Sequence, residues 1–181
     1  MTDILTQFSK ALSERAAFAR GLVAAIRTPG DRYLTGTLWG DTDVVASEQS
    51  LPDGAEFDVV AAGRTMKAKL AGRDPETNIA VMRLPEPVST PAIVPAEATV
   101  GELAVAFGAD NADGATARMG IVNLAGPEWL SNVGGRPAGY MIISERRDSR
   151  RRGRERESHE QPGTIHHWIT CPRATVATAE P

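Results

Sequence analysis

Residues 43–51 of the chain read Asp-Val-Val-Ala-Ser-Glu-Gln-Ser-Leu, and residues 72–84 read Gly-Arg-Asp-Pro-Glu-Thr-Asn-Ile-Ala-Val-Met-Arg-Leu. Each motif joins a short apolar run to a polar turn, which is typical of a strand that ends at a tight connection. Between the motifs, the turn at residues 52–54 and two further alternating runs continue the same pattern. This stretch predicts antiparallel strands and decides the fold class.

The two-residue period extends outward from these motifs over residues 22–84. Turns rich in glycine, proline and aspartate separate the strand-like runs, which cover residues 22–26, 33–38, 44–46, 56–61, 65–70 and 79–84. Short strands at this spacing predict a small closed antiparallel β-barrel, because closure removes exposed strand edges. We therefore assign residues 22–84 to a first β-barrel and the protein to the mainly β class.

Residues 1–21 predict an N-terminal helix. Ile4, Leu5, Phe8 and Leu12 recur near the helical period, so we expect the helix to pack on the barrel. Asp3 stands where a signal peptide would carry positive charge. No apolar run approaches the roughly 20 residues that span a bilayer. We therefore expect a cytoplasmic protein with no membrane partner.

The composition agrees with a small β protein. The chain has 181 residues, a formal net charge of −3 and a hydrophobic share of 41%, which gives no general case for nucleic-acid binding. Its 17 glycines and 12 prolines favour short strands and turns over a helical bundle. Cys171 is the only cysteine, so an intrachain disulfide is excluded.

The pattern changes twice after residue 84. Residues 85–97 are rich in proline and predict a crossover linker, and residues 98–136 predict a partial second barrel. Residues 137–181 predict a disordered, arginine-rich tail, since residues 144–160 contain no hydrophobic side chain. So abrupt a break inside a second barrel indicates either a change of reading frame or a tail that evolved as such, and both readings stay open.

Three segments carry a family resemblance through their order and spacing. They are Gly-Arg-Asp-Pro-Glu-Thr-Asn-Ile-Ala-Val at residues 72–81, Val-Gly-Glu-Leu-Ala-Val-Ala-Phe-Gly at 100–108 and Ala-Arg-Met-Gly-Ile-Val at 117–122. Over roughly residues 22–129 the chain resembles a trypsin-like, chymotrypsin-fold serine protease of the HtrA/Deg type. The resemblance implies two packed barrels with an active site between them. The first barrel would supply a His and an Asp, and the second a nucleophilic Ser within Gly-x-Ser-Gly-Gly.

This chain departs from the family at each catalytic position. Gln49 stands where the family usually has the His, and Asn78 where it has the Asp. The His must carry the serine proton to the leaving group, and a carboxamide has no useful basicity near neutral pH. No Gly-x-Ser-Gly-Gly occurs anywhere in the chain. We therefore predict no catalytic residues here, only the degenerate family positions Gln49 and Asn78.

Other candidate sites have weaker support, and we expect no cofactor and no metal. His159, His166, His167 and Cys171 lack the paired spacing of a structural zinc site. The arginine run could meet phosphate, but acidic residues interrupt its positive field and no aromatic side chain accompanies it. We therefore do not expect nucleic acid to be the main partner.

The chain thus resembles a trypsin-like serine endopeptidase domain that is truncated and has lost its catalytic residues, and we expect it to be non-catalytic. If it acts, we expect it to bind extended or unfolded peptides at an open strand edge of the incomplete second barrel. Two alternatives stay open. The chain could be a truncated or frame-changed remnant with no function of its own, or a nucleic-acid binder that uses its arginine-rich tail.

Overall fold

The computed structural model of the chain describes residues 3–92, 98–109, 115–126, 140–146 and 164–170. Within these ranges one helix, α1 (Ile4–Arg20), precedes a succession of strands. The strands are β1 (Val23–Thr28), β2 (Arg32–Trp39), β3 (Asp43–Ser47), β4 (Glu56–Ala61), β5 (Arg64–Asp74), β6 (Ile79–Arg83), β7 (Leu103–Ala109), β8 (Ala115–Gly126), β9 (Tyr140–Arg146) and β10 (Thr164–Thr170). The predicted mainly β fold with an N-terminal helix is confirmed.

The first six strands form the predicted closed barrel, in the order β1-β2-β3-β6-β5-β4. All neighbours are antiparallel, and Ile26 of β1 pairs with Val59 of β4 to close the ring. β5 continues past the predicted end at residue 70 as far as Asp74. A register shift between Leu70 and Gly72 permits this, since a bulge bends a strand without ending its pairing.

Alternate residues of the barrel strands fill its interior. In β4, for example, Phe57, Val59 and Ala61 are buried while their neighbours are not. The largest side chains with less than 2% exposure are Ile26, Leu38, Met82, Val44 and Val59. Burying a side chain of this size contributes about 1.5–3 kcal/mol. The period that predicted the strands is therefore also the period that builds the core.

α1 is covered only towards its C-terminal end. Ala19 is buried, whereas Ile4, Leu5 and Phe8 are 76%, 70% and 42% exposed. The predicted packing of this helix therefore holds for its last turns and not for its first ones. Helical periodicity in the sequence identified an apolar side but could not show whether anything covers it.

The start of the predicted linker is part of the barrel. Val88 is 4% exposed and belongs to the barrel core, and its N–H donates to the Asp41 carbonyl at 2.8 Å. Thr90 Oγ1 donates to the Gly40 carbonyl at 2.9 Å. These bonds hold residues after β6 against the turn between β2 and β3. Residues 93–97 of the predicted linker lie outside the described residues, and the predicted domain boundaries stay predictions.

A second sheet has the strand order β10-β9-β8-β7. Its described core is small, with Val122 buried and Ala98, Ala104 and Ala125 packed against it. The chain divides into two compact units, and the tip of the β7–β8 hairpin, Phe107–Ala117, belongs to the same unit as the barrel. The rest of the second sheet belongs to the other unit.

Two segments of the predicted disordered tail are strands. β9 and β10 pair antiparallel, from Thr164 opposite Arg146 to Thr170 opposite Tyr140. The sequences Tyr-Met-Ile-Ile at the start of β9 and Ile-His-His-Trp-Ile at the centre of β10 are rich in β-branched and aromatic residues, which favour strands. The expectation of disorder is corrected for these segments, and residues 147–163 and 171–181 lie outside the described residues.

No helix among the described residues combines the length and the apolar character that crossing a membrane requires.

The interior of the barrel leaves no room at Gly36. A Cβ added there would lie 2.6 Å from Val44 Cγ1 and 3.0 Å from Ile26 Cδ1. We expect Gly36→Ala to lower the free energy of unfolding by about 1–3 kcal/mol, because overpacking displaces core side chains. Gly72→Ala is the matched control, since no atom lies within 4 Å of its added Cβ. Equal urea denaturation midpoints for the two variants would contradict this packing.

Candidate functional site

Two loops meet at one end of the barrel because of the strand register. Ser47 at the end of β3 pairs with Ile79 at the start of β6, and Asp74 at the end of β5 pairs with the same residue. β3 leads into a 3₁₀ turn at Glu48–Ser50, and residues 75–78 connect β5 to β6. Gln49 and Asn78, the two family positions singled out in the sequence, are therefore brought together.

The side chain of Asn78 joins the two loops. Its Oδ1 accepts the backbone N–H of Gln49 at 2.9 Å and the hydroxyl of Ser47 at 3.0 Å. Its backbone carbonyl accepts the N–H of Glu48 at 3.2 Å. We call Ser47, Gln49 and Asn78 the amide corner. One asparagine thus holds the N-terminal part of the 3₁₀ turn against the start of β6.

The backbone of Asn78 explains why this residue type suits the position. Its φ of 58° lies in the left-handed region, which asparagine tolerates better than most other residues with a Cβ. The conformation turns the chain sharply into β6 and leaves the side chain half-buried against the 3₁₀ turn.

Ser47 is engaged as a hydrogen-bond donor. Its hydroxyl has one proton, which the 3.0 Å contact directs to Asn78 Oδ1. Ser50 Oγ lies 3.3 Å from Ser47 Oγ and is a second, more distant acceptor for the same proton. An amide oxygen is not a base, so this arrangement does not activate the Ser47 hydroxyl for attack.

Arg73 fastens the 3₁₀ turn from the other side. Its Nη1 lies 3.4 Å from Glu48 Oε1 and donates to the Leu51 carbonyl at 3.2 Å, and its Nη2 donates to the Pro52 carbonyl. The side chains of Arg73 and Glu48 are only 21% and 16% exposed. The planar fork of arginine can meet several acceptors at once, which a lysine could not do in the same geometry.

The turn that precedes Asn78 has its own internal support. Thr77 Oγ1 donates to Asp74 Oδ2 at 2.6 Å, and the N–H of Glu76 donates to Asp74 Oδ1 at 3.0 Å. The pKa of Asp74 is lowered, chiefly by the Thr77 hydroxyl and further by the backbone N–H groups of Glu76 and Thr77. Pro75 follows Asp74 and fixes its own φ, which favours a turn over a continued strand.

The amide corner can form hydrogen bonds but cannot transfer a proton. Gln49 is exposed, and its carboxamide offers two donors and one acceptor oxygen. Neither Gln49 nor Asn78 titrates near neutral pH. The described part of the chain contains no group of three or more His, Cys, Asp or Glu residues placed to hold a metal ion.

The other candidate residues of the sequence are not brought to this corner by any described contact. His166 and His167 lie in β10, paired with residues 144 and 143 of β9. His159, Cys171 and most of the arginine run lie outside the described residues. The sequence reasoning missed the roles of Ser47, Glu48 and Arg73. The only signal for Arg73 was its unusual place directly before Asp74-Pro75, and nothing in the sequence named its partner.

Neither protein-family models nor curated proteins match this chain by sequence. Solved structures do match it. The protease domain of MamO from Magnetospirillum magneticum, without ligand, has a TM-score of 0.55 and 15% identity over 72% of this chain and 73% of that one. Deg5 has a TM-score of 0.65 and 16% identity over 79% and 77%. An inactive form of the Rv3671c protease has a TM-score of 0.58 and 17% identity over 76% and 70%.

The chain therefore has the chymotrypsin fold of trypsin-like, HtrA/Deg-type serine protease domains, as the sequence resemblance predicted. Identities of 15–17% carry the fold and not the activity, because unrelated functions can share one architecture.

The Arg73 contacts predict a measurable loss when they are removed. Arg73→Met leaves the half-buried Glu48 carboxylate and two carbonyls without their donor, and we expect the free energy of unfolding to fall by about 1–3 kcal/mol. The amide NMR signal of Gln49 should also shift. Lys67→Met is the control, because it breaks an ion pair with Asp58 whose side chains are 69% and 37% exposed. That loss should stay below about 1 kcal/mol. Equal losses would contradict a special role for Arg73.

The Asp74 turn predicts a pH-dependent effect of Thr77→Val. The lowered pKa of Asp74 means that its hydrogen bonds stabilise the fold above the unfolded-state pKa, about 3.9, and that this contribution is lost as the pH falls through the folded-state value. Without the Thr77 hydroxyl, the pKa of Asp74 should rise. The stability difference from the unchanged protein should disappear in acid. Carbon-detected NMR titration measures the pKa, and Thr65→Val, at an exposed threonine, should leave it unchanged.

Proposed function

We propose that this chain is a non-catalytic, peptide-binding domain on the fold of a trypsin-like serine protease. The observation that carries the proposal is the 2.9 Å hydrogen bond from the Gln49 N–H to Asn78 Oδ1. This bond supports the idea that Gln49 and Asn78 keep the backbone arrangement of the family's His and Asp positions. The side chains at both positions, however, are carboxamides. Such a corner keeps the shape of a catalytic first barrel without its acid–base chemistry.

Peptide hydrolysis needs a base that takes a proton from the nucleophile and later returns it. A carboxamide at Gln49 cannot do this. Asn78 would also orient an imidazole wrongly, because Oδ1 already accepts two hydrogen bonds and the remaining NH₂ group is a donor. The orienting group of such a site must instead accept the imidazole N–H.

The sequence motif that would carry a nucleophilic serine is also missing. The sequence contains no Gly-x-Ser-Gly-Gly segment. Ser47, the serine nearest to Gln49 on the N-terminal side, donates its hydroxyl proton to an amide oxygen. These features support binding rather than cleavage as the role of the domain.

Peptide binding is supported by the second sheet as far as the structure describes it. Among the described strands the order β10-β9-β8-β7 leaves two end strands, and an end strand can accept a further extended segment by backbone hydrogen bonds. Several large apolar side chains of residues 98–126 are also exposed: Val100, Leu103, Met119, Ile121 and Leu124. An extended or unfolded chain supplies both the backbone groups and the apolar side chains that such a surface can bind.

The activity test uses the purified full chain with a fluorophosphonate serine probe and with labelled, unfolded casein. We expect neither labelling nor cleavage, and we expect micromolar binding of casein by fluorescence anisotropy. Trypsin provides the positive control for labelling and cleavage. Inhibitor-sensitive cleavage by the chain would overturn the non-catalytic half of the proposal, and absence of any casein binding would overturn the other half.

The amide corner allows a second test by substitution. Gln49→His should give an imidazole whose pKa rises further when Asn78→Asp is added, because the carboxylate stabilises the charged ring. Proton NMR titration of that imidazole measures the difference. Casein should remain uncleaved by both variants, since neither supplies a nucleophile. An unchanged imidazole pKa would show that the two side chains do not face each other.

A further inference from the structure

Strand β7 is an end strand of the second sheet. Within the described residues it neighbours only β8, so one of its two long edges has no strand beside it. Exposed edges present rows of N–H and C=O groups that can pair with another chain.

One hydrogen bond identifies the side of β7 that faces β8. The N–H of Val122 in β8 donates to the Glu102 carbonyl at 2.9 Å, just before β7 begins. In an antiparallel strand, the N–H and C=O of one residue point to the same side, and the side changes at each residue. Glu102 and Ala104 therefore direct their backbone groups to β8, and Leu103, Val105 and Phe107 direct theirs to the open edge.

The open edge has a defined end. Ala109 follows Leu103, Val105 and Phe107 in the same outward series, and its N–H donates to Thr35 Oγ1 at 2.9 Å. This bond agrees with the assignment of the outward groups. It also occupies the last outward N–H of β7, so the open length runs from Leu103 to Phe107.

The face beside this edge is apolar. Ala104 packs against buried Val122, so Leu103 and Val105 lie on the other face of β7. Leu103 is 58% exposed, and in β8 the side chains of Met119 and Ile121 are 51% and 47% exposed.

A bulge in β8 lengthens the apolar face. The register with β9 shifts between Val122 and Leu124, so Ile121 and Leu124 pair with β9 residues two apart and lie on the same face. Leu124 is 42% exposed. We call Leu103, Val105, Met119, Ile121 and Leu124 the outer stripe.

We propose that the open edge of β7 binds an extended peptide segment of about five residues, antiparallel, with apolar side chains at its first, third and fifth positions. This inference rests on the proposed peptide-binding function and adds its location and sequence class. Residues one, three and five of the segment pair with Phe107, Val105 and Leu103. Their side chains then lie on the face of the outer stripe and extend it by one strand.

The short edge favours a peptide over a second copy of the chain. A stable dimer interface uses about 20–30 residues from each partner. The outward groups of β7 offer only three residues before Thr35 closes the series. Such an edge can bind a peptide with modest affinity. Modest affinity is what we expect of a site that recognises unfolded chains.

The probe is the peptide Ac-Lys-Val-Ser-Val-Ser-Val-Lys-NH₂, titrated into the full chain and followed by calorimetry and amide NMR. N-methylation of the three valines removes the donors that face β7 and should weaken binding roughly 100-fold. N-methylation of the two serines, whose N–H groups point away, should leave affinity nearly unchanged. Equal affinities for the two methylated peptides would overturn pairing at a strand edge.

A protein variant tests the location. Leu103→Ala should weaken binding of the unmethylated probe about tenfold, since it removes apolar contact in the outer stripe. Leu5→Ala is the matched control, because Leu5 is 70% exposed on α1. Equal effects of the two substitutions, with probe and casein still binding, would overturn the location and leave the proposed function standing.

Three further outcomes separate the alternatives. Binding of casein without binding of the probe would overturn only the sequence class, whereas binding of neither would remove the proposed function as well. A dimer seen by sedimentation, lost in Leu103→Ala and not in Leu5→Ala, would identify a second copy as the occupant of this edge and overturn the peptide.

Discussion

The antiparallel register between β3 and β6 is the constraint on which the amide corner of the barrel depends. Ser47 pairs with Ile79, so residues separated by about thirty positions in the chain become neighbours. Once that pairing exists, Asn78 is adjacent to Gln49 whatever their side chains are. The hydrogen bonds of Asn78 and Arg73 then hold the 3₁₀ turn in one position. Shape at this corner comes from backbone pairing, and chemistry is added by only a few side chains.

A carboxamide can replace a carboxylate in such a corner at little structural cost. Asn78 Oδ1 accepts hydrogen bonds from a backbone N–H and a hydroxyl, as one oxygen of a carboxylate would. What changes is the second atom of the group, which becomes a donor, and the charge, which is lost. Fold stability depends on the first oxygen, whereas acid–base catalysis would depend on the second and on the charge. Acid–base catalysis can therefore be lost at this corner while the stability of the barrel is kept.

Much of the barrel was predictable because its strands alternate strictly between core and solvent, as Phe57, Val59 and Ala61 show. The contact between Gln49 and Asn78 agrees with the motif order of the resemblance, whereas their assignment to the family's catalytic positions stays a prediction. The ion pair of Glu48 with Arg73 was not, since the partners are 25 residues apart and no local pattern couples them. β9 and β10 were missed because the charge-rich segment between them dominated the composition of the region. The uncovered side of α1 was missed because periodicity reports amphipathicity and not contact.

That uncovered side has a consequence for the dynamics of the chain. An isolated helix of 17 residues is marginal in water, and α1 gains tertiary support only near Ala19. Its first turns can therefore open while the barrel stays intact, as a separate cooperative unit of low stability. Amide hydrogens there should exchange with solvent through local fraying, whereas those of β3 and β6 exchange only when the whole barrel unfolds. The N-terminal segment therefore opens and closes on its own timescale, independently of the barrel to which it is attached.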